Sequence, residues 1–281
     1  MSLRLDNVTK QYGTFQLQCS IEIPEGRITG FVGPNGAGKS TTIKAILGLI
    51  SYDSGEIFLD EKRQEKWSKQ DREKFGVVLA DSGFSGYFSI RDIVQIMKNM
   101  YPHFHEDIFW GYCKQFRLPT DKMIKEFSTG MKAKLHLLLA ISHDAEVLIL
   151  DEPTAGLDVI VREEMLDLLR DYMEEGNRSI LISSHISSDL EGICDDLYMI
   201  QDGTIILHED TDRLISSYGV LKLTEQQFNT IDKSHILKRK KDSFGYSCLT
   251  DEMQFYMENV PGIVIEKCSI DDVITLMIRG E

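Results

Sequence analysis

No stretch of this 281-residue chain approaches the roughly 18 apolar residues that a membrane-spanning helix needs. Basic charge is also scarce: 31 Lys and Arg stand against 45 Asp and Glu, for a net charge of −14. A nucleic-acid surface demands clustered cations to meet a phosphate backbone, so none is expected here. A single phosphate-bearing ligand needs only a local positive field, and the balance does not forbid one. Cysteines are few. Cys19, Cys113, Cys194, Cys248 and Cys268 are odd in number, scattered and without a CxxC pair, which predicts reduced, mostly buried thiols in a cytosolic protein. The opening MSLRLDNVTKQYG has neither an apolar core nor a cleavage site, so no secretion is expected. The length suits one large domain or two unequal ones.

The first positive signal is the run Gly33-Pro34-Asn35-Gly36-Ala37-Gly38-Lys39-Ser40-Thr41. Gly33, Gly38, Lys39 and Ser40 hold the spacing of a phosphate-binding loop. Its glycines let backbone N–H groups turn inward around phosphate oxygens, its lysine reaches the β- and γ-phosphates, and its serine hydroxyl ligates Mg²⁺. Arg27 to Val32 reads as a strand and Thr41 to Leu49 as a helix without Pro. That is the strand–loop–helix setting in which phosphate sits at a helix N-terminus.

Glu146 to Pro153 reads EVLILDEP. The apolar run Val147 to Leu150 suits an interior parallel strand ending in Asp151 and Glu152. Ligands of open α/β sheets gather beyond the carboxyl ends of the strands, which predicts that both acids face the phosphate loop. Asp151 is the expected Mg²⁺ partner through a water, and Glu152 is placed to orient or deprotonate an attacking water. A third apolar strand, Ser179 to Ser183, leads to His185, expected to contact the γ-phosphate.

These residues, in this order, resemble the ABC ATPase family from about Met1 to Tyr218. The family's signature loop is matched by Phe127-Ser128-Thr129-Gly130-Met131, with Ser128 lying 23 residues before Asp151. Its D-loop is matched by Ala155-Gly156-Leu157-Asp158, its switch histidine by His185 and its adenine-stacking aromatic by Tyr12. The resemblance implies an ATP- and Mg²⁺-dependent ATPase of α/β class: a P-loop, RecA-like core with an antiparallel β subdomain and a helical subdomain. It also implies that Ser128 and Gly130 close over ATP held by a second subunit, with Asp158 communicating across a head-to-tail dimer.

The chain departs from the family pattern in two places. Thr129 stands where the family has a signature glycine and Met131 where it has glutamine, while Ser128 and Gly130 remain. After the strand Phe75 to Leu79 the family's glutamine is missing, and Ala80 and Asp81 stand there. The run FSTGMKAKL, the missing glutamine and the ending SSHISSDLE resemble a Gram-positive branch whose ATPases serve ABC-2-type exporters. That likeness implies a motor that drives a separate ABC-2-type transmembrane subunit and sits in the cytoplasm on the inner face of the membrane.

The expected organisation is an ATPase over residues 1–218 and a small C-terminal α/β domain over 219–281. Residues 1–25 and 54–80 read as short antiparallel strands. Residues from about 82 to 143 read as mostly helical, with Ile90, Ile93, Val94 and Met97 at helix spacing and many aromatics. Those aromatics either pack a small core or line a groove for a partner's cytoplasmic helix. In the tail, Val220 to Leu223 and Ile263 to Cys268 read as strands and Thr224 to Ile231 and Thr250 to Met257 as helices. Ser269 with Asp272 reads as a capping-box start, and Lys238 to Lys241 as a solvated loop or strand edge or a contact for anionic headgroups. Two other functions stay open: a soluble ABC ATPase acting on a non-membrane partner, and a weakly hydrolysing nucleotide-dependent regulator.

Overall fold

A computed structural model of the chain describes residues 1–80, 83–174 and 176–281. In chain order the first part contains β1 (Leu3–Tyr12), β2 (Phe15–Ile23), β3 (Ile28–Val32), α1 (Lys39–Ile46), β4 (Ser54–Leu59), β5 (Lys62–Arg63), α2 (Lys69–Glu73) and β6 (Phe75–Val78). It continues through α3 (Ile90–Met100), α4 (Glu106–Gln115), α5 (Thr129–Ile141), β7 (Val147–Asp151), α6 (Val159–Glu174), β8 (Ser179–Ser183), α7 (Ser187–Ile193), β9 (Asp196–Gln201), β10 (Thr204–Asp210) and α8 (Thr211–Ser216). The tail adds β11 (Gly219–Leu223), α9 (Glu225–Thr230), β12 (Ile236–Asp242), β13 (Gly245–Thr250), α10 (Met253–Asn259), β14 (Val264–Lys267) and α11 (Ile270–Arg279).

Ten strands form one sheet in the order β5-β4-β1-β2-β10-β9-β3-β8-β7-β6. Strands β9, β3, β8, β7 and β6 run parallel, and β5, β4, β1 and β2 pair antiparallel. The antiparallel strands expected to form a subdomain therefore continue the core sheet, and β6, which falls in the same sequence range, belongs to the parallel part. The reason for the unbroken apolar runs is visible in the side chains. Leu148, Leu150, Ile180 and Ile182 face one hydrophobic core, while Val147, Ile149 and Leu181 face the other. A strand covered on both faces gains nothing from alternation, because polar side chains would be buried either way. Helices α3, α4 and α5 roof the first core with Ile90, Ile93, Val94, Phe109 and Leu138; the second is filled from α1 and from β1 and β2.

The tail follows the order β-α-β-β-α-β with sheet order β12-β13-β11-β14 and every pair antiparallel, a ferredoxin-like arrangement. Leu221, Leu223, Phe228, Cys248 and Tyr256 fill its own small core. Sequence patterning located β11, β14 and the helices but not the β12–β13 hairpin. The basic run Lys238 to Lys241 lies in β12, the edge strand. Arg239 pairs with Glu281 at 3.7 Å, Lys240 with Asp242 at 3.7 Å and Lys241 with Glu225 at 3.8 Å, so internal carboxylates meet much of this charge.

Helix α11 lies on the other face of the tail sheet. Val273 and Leu276 pack with Val220 and Leu249 of the tail and with Leu190, Leu214 and Tyr218 of the ATPase. Its start is the capping box read from the sequence: Asp272 N–H donates to Ser269 Oγ at 3.2 Å, and Ser269 N–H to Asp272 Oδ2 at 3.0 Å. Losing an N-cap hydroxyl typically costs about 1 kcal/mol. Ser269→Ala is therefore expected to lower the urea-unfolding free energy by about that amount, while Ser269→Asp leaves it nearly unchanged. All five cysteines are free and buried. Burial pushes the Cys19 thiol up to about 11 and that of Cys113 up to about 12, far from the reactive thiolate range.

Candidate active site

The sheet order decides what meets what. Strand β8 lies between β3 and β7, all parallel, so the segments after these strands leave the sheet at one edge. Register makes this local: Ser183 is opposite Phe31 on one side and Asp151 on the other. Two residues beyond Phe31 the phosphate loop begins, one residue beyond Asp151 stands Glu152, and two beyond Ser183 stands His185.

The phosphate loop is held down from below. A Cβ at Gly33 would run into the Ile200 carbonyl oxygen, and one at Gly38 would lie 3.2 Å from atoms of Ile200, Leu17 and Phe15. Pro34, Asn35 and Gly36 are exposed, and nothing lies within 4 Å of a Cβ position at Gly36. The loop thus packs its base on β2 and β9 and leaves its rim open. Helix α1 begins at Lys39, two residues before the expected start, so Lys39 and Ser40 occupy its first turn. Ala37 and Lys39 are buried and Thr41 is half-buried.

Lys39 Nζ donates to Gly33 O at 2.6 Å and lies 3.7 Å from Glu152 Oε1. The other oxygen, Glu152 Oε2, accepts from His185 N–H at 3.2 Å and lies 2.5 Å from His185 Nδ1. A carboxylate only accepts, so Nδ1 carries the proton. Glu152 therefore bridges the phosphate-loop lysine and the histidine. It does so from a left-handed backbone conformation, φ 53°, which for a non-glycine residue costs roughly 1–3 kcal/mol and persists only when the surroundings hold it. Its N–H donates to Ser183 Oγ at 3.0 Å and also faces Ser183 O at 3.2 Å. Asp151, 3% exposed, accepts from the Ser183 hydroxyl at 2.7 Å.

The oxygen donors present suit a hard cation. The Ser40 hydroxyl opens α1 and the Asp151 carboxylate closes β7, and Mg²⁺ takes such ligands while keeping several waters. Among the described residues no group of three or more His, Cys, Asp or Glu is placed to hold a metal. A cation here would rely on phosphate oxygens and water for its remaining ligands.

Ser128 and Gly130 form a second cluster with Asp158. Ser128 caps α5, its Oγ accepting from Met131 N–H at 3.2 Å. A Cβ at Gly130 would lie 3.1 Å from Val161, and Val161 N–H donates to Asp158 Oδ1 at 3.0 Å. The starts of α5 and α6 thus lie side by side, with Val159 and Ile160 exposed at 74% and 73%. Tyr12 ends β1 opposite Phe15, whose ring lies against Gly38, so the exposed Tyr12 sits on a hairpin touching the loop. Ala80 is exposed, and Asp81 lies outside the described residues.

Sequence reasoning passed over Ser183, Thr154, Arg162 and Asp189. Thr154 Oγ1 donates to the buried Asp189 Oδ2 at 2.7 Å, and Arg162 Nη1 lies 3.6 Å from Asp189 Oδ1. Only the SSH run hinted at Ser183. Nothing in the spacing pairs a residue beyond the end of β7 with residues on α6 and α7.

A family model described as ABC transporter matches residues 17–155, and one described as an AAA domain matches 123–188. The chain is 34% identical over 213 residues to the lantibiotic transport ATP-binding protein SrtF of Streptococcus pyogenes, covering 75% of this chain and 91% of that protein. It is 34% identical over 216 residues to the bacitracin transport ATP-binding protein BcrA of Bacillus licheniformis, covering 75% and 71%. Among solved structures, an ATP-binding subunit of an ABC transporter superposes with a TM-score of 0.69 at 23% identity, over 82% of this chain and 94% of that one. A dimeric ATP-binding cassette bound to ADP and Pi superposes with a TM-score of 0.66 at 20% identity, over 74% and 98%. At that identity the two structures speak for the fold alone.

Proposed function

Because this chain belongs to the ABC transporter family of ATP-binding, ATP-hydrolysing proteins, we propose that it is the motor subunit of an exporter. In this reading it hydrolyses MgATP between two copies, or between itself and a close relative, to drive a separate ABC-2-type membrane protein. It works on the cytoplasmic face of the membrane. The observation that carries the reading is Glu152, held 3.7 Å from the Lys39 ammonium and 2.5 Å from His185 Nδ1.

Lys39 has two alternative sets of partners. Without phosphate it is satisfied by Gly33 O and Glu152. Phosphate oxygens carry more charge and take the ammonium, which releases one oxygen of Glu152 to accept a proton from the attacking water. His185 keeps the other oxygen in place and, at 55% exposed, has a free path to the γ-phosphate. Tyr12 stacks on the adenine, and the backbone from Gly33 to Thr41 cradles the phosphates. Ser40 and Asp151 would hold Mg²⁺, which supplies charge neutralisation on the phosphates when bound.

Ser128, Gly130 and Asp158 of one subunit close over nucleotide held by the other. Val159 and Ile160, exposed beside them, offer apolar surface to such a partner. We place the membrane partner on the helical layer. Tyr87 and Phe88 are exposed there, and a cavity of about 250 Å³ is lined by Phe84, Met97, Tyr101 and His136. Affinity capture from gently solubilised native membranes, followed by mass spectrometry, is expected to recover one multi-span membrane protein in near-equal amount. Recovery of ribosomal or other soluble partners alone overturns the exporter reading in favour of a soluble ATPase.

A further inference from the structure

Ser183 is fully buried at the end of β8, and its single hydroxyl joins two site residues. Its proton goes to Asp151 Oδ1 at 2.7 Å, and its lone pair receives the Glu152 N–H at 3.0 Å. A hydroxyl has one proton, and an N–H needs an acceptor, so the direction of both bonds is settled. Register puts Ser183 directly opposite Asp151, so the contact needs no reach. One oxygen of Asp151 is thereby turned into the sheet, and the carboxylate plane is fixed. The same hydroxyl also pins the peptide on which Glu152 takes its left-handed conformation, φ 53°.

We propose that Ser183 is a positioning residue for ATP hydrolysis, its buried hydroxyl setting the Asp151 carboxylate and the Glu152 backbone together. The proposal rests on the reading of Asp151 as the magnesium partner and Glu152 as the base. An alanine leaves both groups in place, frees the Asp151 carboxylate to rotate and leaves the Glu152 N–H only its 3.2 Å contact with the Ser183 carbonyl. Losing an outer partner of a metal ligand typically costs about 10- to 100-fold in metal affinity or activity. Ser183→Ala is expected to lower kcat by about that factor and to raise KM for MgATP by up to about tenfold, as cation-assisted binding weakens.

A second readout needs no turnover. Calorimetry with a non-hydrolysable β,γ-imido ATP analogue, with Mg²⁺ and in EDTA, measures how much the cation strengthens nucleotide binding. That enhancement is expected to shrink about tenfold in Ser183→Ala and to return in Ser183→Thr, which restores the hydroxyl. Should the alanine variant not fold, Ser183→Cys keeps the volume with a much weaker donor and is read in the same way. Wild-type kcat and wild-type Mg²⁺ enhancement in a folded variant overturn the proposal, even if its unfolding midpoint falls. So does a threonine variant as impaired as alanine. Glu152→Gln, measured alongside, separates the two levels. If it hydrolyses ATP at the wild-type rate, the underlying site reading has failed. If it is inactive while Ser183→Ala is normal, only the positioning role has failed.

Discussion

Replacing Glu152 with Gln lowers steady-state ATP turnover by about a thousandfold and leaves nucleotide binding intact. The amide keeps the shape and still offers an oxygen to His185, so the geometry around Nδ1 survives. It cannot take a proton from water, and a positioned general base contributes roughly 10²–10⁴ in rate. Binding should not weaken. In the wild type Lys39 must leave a carboxylate 3.7 Å away before it serves phosphate, and the amide removes that competitor. Phosphate release under saturating ATP checks the rate, and calorimetry with ATP checks the binding. ATP-dependent dimers that outlast gel filtration are expected only in the variant, because in the proposed reading bound γ-phosphate closes the pair and hydrolysis opens it. A wild type no faster than Glu152→Gln would instead identify a nucleotide-dependent regulator.

Asp189→Ala is expected to destabilise the fold by about 3 kcal/mol. Asp189 is 2% exposed and receives both the Thr154 hydroxyl and the Arg162 guanidinium. Removing one member of a buried pair typically costs about 3–5 kcal/mol, because the other charge is left without compensation. Arg162 retains 23% side-chain exposure, which places the effect at the lower end. Its Nε is already buried without a hydrogen-bond partner, so little local compensation is at hand. Asp189→Asn keeps an acceptor for Thr154 and should cost about half as much. Urea unfolding gives both numbers. Turnover should fall as well, since α7 starts two residues after His185 and Thr154 lies two residues after Glu152. Unchanged stability in the alanine variant would mean that Arg162 finds its partner elsewhere.

The parts of the site that follow one another in the chain were legible early. Gly33 to Thr41 carries its own chemistry, because backbone N–H groups and a helix start are local features. Asp151, Glu152 and His185 each end an apolar run, and position at a strand end already implies a place at the ligand edge. Signature and D-loop residues were read through family resemblance; periodicity alone would have left Ser128 an ordinary helix cap, which it also is. The antiparallel strands were read as a subdomain because their alternation differs from the core runs, and they do pair antiparallel. Hydrogen bonding across β2 and β10 joins them to the same sheet, and such pairing leaves no mark on either strand alone. Lys238 to Lys241 was read as a solvated loop or strand edge, and the β12–β13 hairpin was missed because so polar a run does not choose between the two. As the edge strand of its sheet it lies beside solvent, and charge there carries little cost.

The sequence by itself determined the family and the ATPase chemistry and pointed to the phosphate loop, since these depend on residue types at short spacing. Only the tertiary structure decided that β8 lies between β3 and β7. That placement brings Lys39, Glu152 and His185 into one chain of contacts and puts the Ser183 hydroxyl between two carboxylate-bearing residues. It also decided that α11 of the tail packs against the helix after His185, with Ile270 N–H donating to Glu191 at 2.7 Å. The physical reason is the same in each case. Strand order and register are set by the burial of whole faces against many distant partners, and no local run of residues encodes which partner comes to lie beside it.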